Sequence, residues 1–284
     1  MKTTAIKNST FGLYAVLFFS VLGFSQTDTL VPQPPQNMVA ANSNVAFQHG
    51  ERLTYKIYYN LNFIWVPAGE VTFKIFDEGN QYHYQAEGQT YDSYEWFFSA
   101  KDEYDSWVDK TTLLPNYSER NVNEGNYHIF EKIAFNQAGR KMTVWRSPKR
   151  GEKEEKTEHT VKADCNDVLS SLYNLRNVDY GSQAPGYSVP FRIFMDKEEY
   201  PLKMNYLGKE SNKKIYKMGR YKTLKFHPEV IAGTVFREDT KMTVWVSDDA
   251  NRIPLLIESP VSVGSVKMVL KSYWGLKYNF EAKL

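Results

Sequence analysis

The chain has 284 residues, with 35 Lys and Arg against 33 Asp and Glu and a formal net charge of +2. This near-neutral balance gives no electrostatic basis for a nucleic-acid partner, so we expect none. The single cysteine, Cys165, excludes an internal disulfide, so a hydrophobic core must hold the fold, and we interpret Cys165 as a structural thiol. Aromatic residues make up 15 % of the chain, a content typical of β-rich proteins.

The first 25 residues predict a cleaved export signal. Lys2 and Lys7 precede an apolar run over residues 11–24, and GFS then offers small residues at the −3 and −1 positions before Gln26. The run is shorter than the ~20 residues that span a bilayer, so a membrane anchor is the weaker interpretation. No other stretch predicts a transmembrane helix, and we do not expect an integral membrane protein. Residues 26–46 are polar and contain several prolines, which predicts a disordered tether.

Residues 50–75 predict an opening β-hairpin. Apolar and aromatic side chains alternate with polar ones from Leu53 to Phe63, so one face of this strand should be buried. The alternation breaks at residues 67–69 and resumes from Val71. Since proline cannot donate to a strand ladder and glycine tolerates unusual dihedral angles, this break predicts a turn or a bulge.

The elements that follow are mostly short strands. Residues 91–98 are densely aromatic and predict either a strand or a short helical turn. Residues 148–159 carry charges of both signs, which indicates a solvated loop at the end of a hairpin. Residues 164–177 predict a helix, with Asp164 or Asn166 as its N-cap. Further strands follow, with turns predicted at residues 196–197 and 208–210.

These elements predict a mainly β protein. A dozen or more short strands favour a large curled antiparallel sheet or an incomplete β-barrel, with the helix at residues 164–177 packed against it. No linker divides the region, so we expect a single β-rich domain over residues 47–284.

Four motifs in order carry a resemblance to a known family. GERLTY followed by PAGEV, then DVLSSLYNLR, FHPEVIAGTVF, and VWVSDDANRIPLLIE through VGSV resemble the bacterial family called domain of unknown function 3108 (DUF3108). The signal ending GFSQ is similar to those of Flavobacterium-type Gram-negative bacteria. The resemblance implies a secreted, β-rich envelope protein in the periplasm, peripheral to the outer membrane, and it brings no catalytic residues. We interpret the motif positions as structural: Gly50, Glu51, Pro67, Gly69, Glu70, Asp249, Arg252, Pro254 and Gly264.

No motif in the chain indicates a reaction, a metal site or a cofactor. The five histidines lack metal-binding spacings, and there is no nucleophile elbow, P-loop or dinucleotide fingerprint. Asp102, Glu103 and Asp105 lie beside aromatic residues, as carboxylates do in glycoside-cleaving clefts. Alternation out of a surface strand explains them more simply. Residues 248–251 resemble a calcium-loop fragment but lack its glycine and distal glutamate, so a hairpin turn is favoured.

The aromatic segment suggests a ligand surface. It is too dense for one sheet face to bury, so some of its members should line a concavity that holds an acyl chain or stacks on sugar rings. The candidate ligand-binding residues are Tyr91, Tyr94, Trp96, Phe97 and Trp107. The leading hypothesis is therefore a periplasmic, non-catalytic binding protein for a lipophilic or glycan envelope component. The alternatives are an accessory subunit that docks on an outer-membrane protein partner and a polysaccharide-acting enzyme.

Overall fold

The computed structural model describes residues 44–61, 64–94, 99–231, 240–261 and 264–284. In these parts of the chain, fourteen antiparallel strands form one sheet that is not closed into a barrel, and one α-helix packs inside its curl. The predicted fold class is thereby confirmed. The predicted signal peptide lies outside the described residues, as does the tether up to residue 43. The element bounds are β1 Arg52–Leu61, β2 Ile64–Glu78, β3 Gln81–Thr90, β4 Lys101–Asp109, β5 Pro115–Glu124, β6 Tyr127–Asn136, β7 Lys141–Ser147, β8 Glu155–Thr160, α1 Val168–Arg176, β9 Ser188–Met195, β10 Glu198–Ile215, β11 Gly219–Pro228, β12 Thr243–Ser247, β13 Pro254–Pro260 and β14 Ser265–Trp274.

The sheet consists of two meanders that meet at its centre, where a strand of one pairs with a strand of the other. Strands β1 to β8 pair in chain order, β9 to β14 do the same, and β14 pairs with β1, so β8 and β9 are the outer strands of the sheet. Because the sheet curls, side chains near its two outer strands contact each other. Arg120 on β5 and Arg146 on β7 both contact Asp196, in the turn between β9 and β10. A cluster that includes Val161, Cys165 and Phe194 fills the apolar space there.

Helix α1 lies inside the curl and packs on β3, β4 and β9. Its N-cap is Asp167, and the prediction of Asp164 or Asn166 was wrong. The Asp167 carboxylate accepts a hydrogen bond from the backbone N–H of Ser170, whose hydroxyl accepts one from the N–H of Asp167. This reciprocal capping box starts the helix at residue 168, four residues later than predicted. Asn166 instead pairs with Ile193 on β9.

Other elements differ from the sequence-based expectations in ways that the strand geometry explains. The turn predicted at residues 208–210 is wrong, because β10 continues through it and two register shifts absorb the irregularity. The break at Pro67 is a bulge within β2, since the register shifts between Ile57 and Tyr58 on the paired strand. The charged run is a loop only over residues 148–154, and its remainder forms most of β8. Ala46, expected in the tether, is fully buried.

Candidate functional site

A buried polar node ties two distant parts of the chain to helix α1. We define the node as Glu51, Arg176 and Asn251. The Arg176 guanidinium donates to both carboxylate oxygens of Glu51, at 2.6 and 2.8 Å, and to the backbone oxygen of Asn251, at 2.9 and 3.2 Å. The charged side chains are at most 6 % exposed. The C-terminal end of the helix is thus fixed to the start of β1 and to the β12–β13 turn.

The β12–β13 turn is itself held by Asp249. One carboxylate oxygen accepts hydrogen bonds from the backbone N–H groups of Asn251 and Arg252, and the other accepts them from the C-terminal segment at residues 281–282. The predicted hairpin turn at residues 248–251 is present, between β12 and β13. The carbonyl oxygen of Pro254, which follows the turn, accepts from the Tyr55 hydroxyl at 3.0 Å. These contacts connect the turn to β1 and to the chain terminus.

The remaining motif residues occupy positions with specific backbone or side-chain requirements. A Cβ atom at Gly69 would lie 2.3 Å from the carbonyl oxygen of Gln89, so only glycine fits beside the β2 bulge. Gly264 has a φ of +85° in the β13–β14 turn, and Gly50 has a φ of +84° just before β1. Glu70 accepts from the Tyr91 hydroxyl and pairs with Lys271 on β14.

A cavity of about 810 Å³, counting the space open to solvent, lies between helix α1 and strands β9–β13. We call it the main cavity. Its walls are predominantly aliphatic and aromatic, and include Leu172, Leu175, Leu224, Phe226, Val244 and Ile257. Inward-facing residues of successive strands create this surface, because every second side chain of a strand points to the same face. The arrangement excludes charge from most of the wall and suits an apolar ligand.

A second cavity of about 420 Å³ adjoins the first toward β1, β2 and β14. Leu172, Arg176, Pro254 and Ile257 line both cavities. The interior of the curl therefore contains two neighbouring apolar spaces with the side chain of Leu172 at their common boundary.

The structure does not bring the predicted ligand-binding aromatics together. Tyr91 and Trp107 lie on the outer face of the sheet, opposite the core, where Tyr91 contacts Glu70 and Lys56 and Trp107 stacks on His83 at 4.5 Å. Trp107 pairs with residue 83 of β3, whereas Tyr91 directly follows residue 90 at the end of that strand. Residues 83 and 90 are seven positions apart, which corresponds to ~23 Å along the strand. The backbone of Tyr94 ends a 3₁₀ turn at Asp92–Tyr94, whereas Trp96 and Phe97 lie outside the described residues.

The three candidate carboxylates also separate, because strand alternation divides them between two faces. Asp102 is buried on the inner face, whereas Asp105 on the outer face hydrogen-bonds His83 at 2.7 Å. Glu103 on the outer face lies 3.5 Å from Arg150. Asp102 instead pairs with Glu124. Burial raises the pKa of both carboxyls, and each influences the other, so the pair retains a proton near neutral pH.

Two further expectations concern thiol and metal chemistry. Cys165 is fully buried, and burial raises the pKa of its thiol to about 12, which removes the thiolate needed for nucleophilic chemistry. Within the described ranges, no group of three or more His, Cys, Asp or Glu side chains could hold a metal ion. No helix in that part of the chain has the length and apolar character to cross a membrane.

Sequence reasoning missed most of the residues that line the main cavity, and it assigned only structural roles to Arg252 and Pro254, which also line it. The inward positions of β11 and β12 alternate in the sequence, as Leu224 and Phe226 and as Val244 and Val246, so a buried face was readable there. Nothing local distinguishes a face that lines a cavity from one that packs fully. Tyr180, which follows the helix and also lines the cavity, carries no motif.

Comparison with known proteins agrees with this architecture. The model of the family described as "Protein of unknown function (DUF3108)" matches residues 54–271. A crystal structure of a beta-barrel-like protein of DUF1849 from Brucella abortus is similar, with a TM-score of 0.53 and 8 % identity over 82 % of this chain and 100 % of that one. A protein with a YmcC-like fold from Bacteroides fragilis has a TM-score of 0.30 and 9 % identity over 82 % of this chain and 99 % of its own. No curated protein matches the chain.

Proposed function

The chain belongs to the DUF3108 family, and from that premise we propose that it binds a lipophilic ligand, without catalysis, in the main cavity. The observation that supports this is the apolar wall of the space between helix α1 and strands β9–β13. A folded core normally closes such a space, because each lost apolar contact and each empty volume lowers stability. An apolar ligand restores those contacts. The predicted export signal at residues 1–25 supports binding in the periplasm, and association of the protein with the outer membrane at its periphery is part of the proposal.

The same geometry favours a lipophilic ligand over a glycan. Sugar hydroxyls need hydrogen-bond partners, and burying them against side chains such as Leu224, Val244 and Ile257 carries a desolvation cost. A sugar-stacking surface built from Tyr91 and Trp107 is disfavoured by their separation along β3.

The two other hypotheses have weaker support. An accessory subunit that adds a partner strand needs a free sheet edge, and the outer strand β8 carries the charged sequence EKTEHT, which opposes edge pairing. The outer strand β9 is partly covered by Asn166. A polysaccharide-acting site at Asp102, Glu103 and Asp105 is opposed by their division between the two faces of the sheet.

Native mass spectrometry of the protein purified from its own host, followed by organic extraction, tests the proposal. We expect a mass excess that the extraction removes and that corresponds to a lipid. Copurification of a stoichiometric protein partner with no lipid would instead favour the accessory-subunit hypothesis.

A cavity-filling variant provides the matched test. Leu175 and Met204 are half-buried and line the main cavity from the helix and from β10, so Leu175→Trp and Met204→Trp should occupy it. We expect both to reduce binding of a lipophilic fluorescent probe, whereas Leu207→Trp, at an exposed site on β10, should not. Far-UV circular dichroism confirms that each variant is folded. Equal probe binding by all three would contradict the proposal.

A further inference from the structure

One wall of the main cavity contains a buried hydroxyl with no hydrogen-bond partner among the described residues. Tyr180 is 3 % exposed, its ring packs against Phe226 at 4.6 Å, and its hydroxyl oxygen is unpaired. Leaving a buried polar group unpaired lowers stability, because the group loses its hydrogen bond to water without gaining another. Phenylalanine would fill the same space without that cost, so the hydroxyl calls for an explanation.

Arg252 brings a positive charge to the same cavity. One of its terminal nitrogens donates to the backbone oxygen of Arg176 at 3.1 Å, and the other lies 3.9 Å from the carboxylate of Asp179, which is 64 % exposed. Asp179 directly precedes Tyr180, so this ion pair brings Arg252 near Tyr180, and both residues line the cavity. By contrast, Glu51 already neutralises the guanidinium of Arg176.

The electrostatics of Tyr180 favour its role as a hydrogen-bond donor. Burial raises the pKa of the hydroxyl above its ordinary value, while the neighbouring Arg252 charge acts in the opposite direction. The hydroxyl therefore keeps its proton and can donate it to a ligand. A buried donor near a cation whose one counter-ion among the described residues is distant and exposed matches an anionic oxygen.

The cavity wall is polar at Tyr180 and Arg252 and apolar along β12. Val244 and Val246 on β12 line the wall, and Met242, which precedes the strand, extends it toward Val230. From residue 242 to residue 246 the wall covers ~13 Å along the strand. The exposed Glu229 lines the cavity near Val230, so its charge opposes an anion there.

We propose that the ligand is a single-chain carboxylic acid, with its carboxylate at Tyr180 and Arg252 and its hydrocarbon chain directed toward Met242. This inference rests on the proposed function, since it assigns the ligand class of the same cavity. The carboxylate accepts hydrogen bonds from the Tyr180 hydroxyl and the Arg252 guanidinium, and the chain contacts the apolar wall.

The test compares hexadecanoic acid with its methyl ester on delipidated full-length protein, by displacement of a fluorescent lipophilic probe. The ester keeps the chain and removes the charge. A charge-assisted hydrogen bond contributes roughly 1.5–3 kcal/mol, so we expect the acid to bind at least ~10-fold more tightly. Lowering the pH below the pKa of the bound acid should reduce this preference.

Two variants locate the headgroup. Tyr180→Phe removes only an oxygen without a partner among the described residues, so it should leave the fold intact, weaken acid binding severalfold and leave ester binding unchanged. Arg252→Gln should abolish most of the preference for the acid. Tyr84→Phe is the matched control, because it removes another buried hydroxyl for which the described residues provide no partner, and Tyr84 does not line the main cavity.

The outcomes separate this inference from the proposed function. Equal affinities for acid and ester, or a preference that survives Tyr180→Phe and Arg252→Gln, would overturn the carboxylate assignment while lipophilic binding stands. Failure of the acid, the ester and the probe to bind would overturn both.

Discussion

Replacing Glu51 by Gln removes the charge that neutralises Arg176 in the core. The two side chains are 0 % and 6 % exposed, so the variant leaves a guanidinium buried without its counter-charge. Removal of one partner of a buried ion pair costs ~3–5 kcal/mol. Arg176 keeps its hydrogen bonds to the backbone oxygen of Asn251, and Gln can still accept one bond. We therefore expect the lower part of that range, about 3 kcal/mol of unfolding free energy.

The opposite substitution, Arg176→Met, should cost more. It leaves the Glu51 carboxylate unpaired and also removes the bonds to Asn251, which hold the β12–β13 turn to the helix. The double variant Glu51→Gln/Arg176→Met removes both charges, so we expect it to lose at least ~1 kcal/mol less than the sum of the single losses.

Urea denaturation, followed by tryptophan fluorescence and far-UV circular dichroism together, measures these losses. The exposed pair Lys74–Glu87 supplies the control, because Glu87 is 48 % exposed and Glu87→Gln should cost less than ~1 kcal/mol. A Glu51→Gln variant no less stable than Glu87→Gln would refute the role assigned to the polar node.

Three further predictions test other parts of the fold. Burial and the neighbouring Asp102 raise the pKa of Glu124 to about 9 in the folded protein, from 4.5 in the unfolded chain. The stability that protonated Glu124 contributes is therefore complete below pH 4.5 and is lost as the pH rises through about 9. Glutamine cannot ionise, so the unfolding free energy of Glu124→Gln, measured by urea titration, should rise relative to the wild type by at least ~1 kcal/mol between pH 5 and pH 8.5. Parallel stability profiles of the two proteins over this pH range would contradict the prediction. Gly69→Ala should lower the midpoint of thermal unfolding by several degrees, because its Cβ would overlap a carbonyl oxygen of β3. The control Gly181→Ala should change the midpoint little, since the nearest atom to its Cβ is 3.5 Å away. Equal midpoints for the two variants would show that the bulge relaxes. Cys165 should resist a thiol-specific chromogenic reagent at pH 8 in the native protein and react fully in urea, and rapid native labelling would show that its pocket opens.

Local chemistry alone determined much of the architecture. A period of two in apolar side chains specifies a strand with one buried face wherever it occurs, so the β class and the position of β1 followed from the sequence. Turn-forming residues also act locally, which is why the turn at residues 196–197 was predictable. The helix was predictable from its apolar stripe, although its cap was not, because Asp164, Asn166 and Asp167 are similar candidates in the sequence.

Tertiary structure decided where the cavity lies and which charges it encloses. Glu51 and Arg176 are 125 residues apart, and Arg176 and Asn251 are 75 apart; they meet only because β14 returns to pair with β1 and the helix lies inside the resulting curl. Tyr91 and Trp107 occupy the outer face because tyrosine and tryptophan suit both a core and a half-exposed sheet surface, so aromatic density in the sequence does not specify a face. The cavity exists because the helix covers only part of the inner surface, and that gap depends on the curvature of the whole sheet.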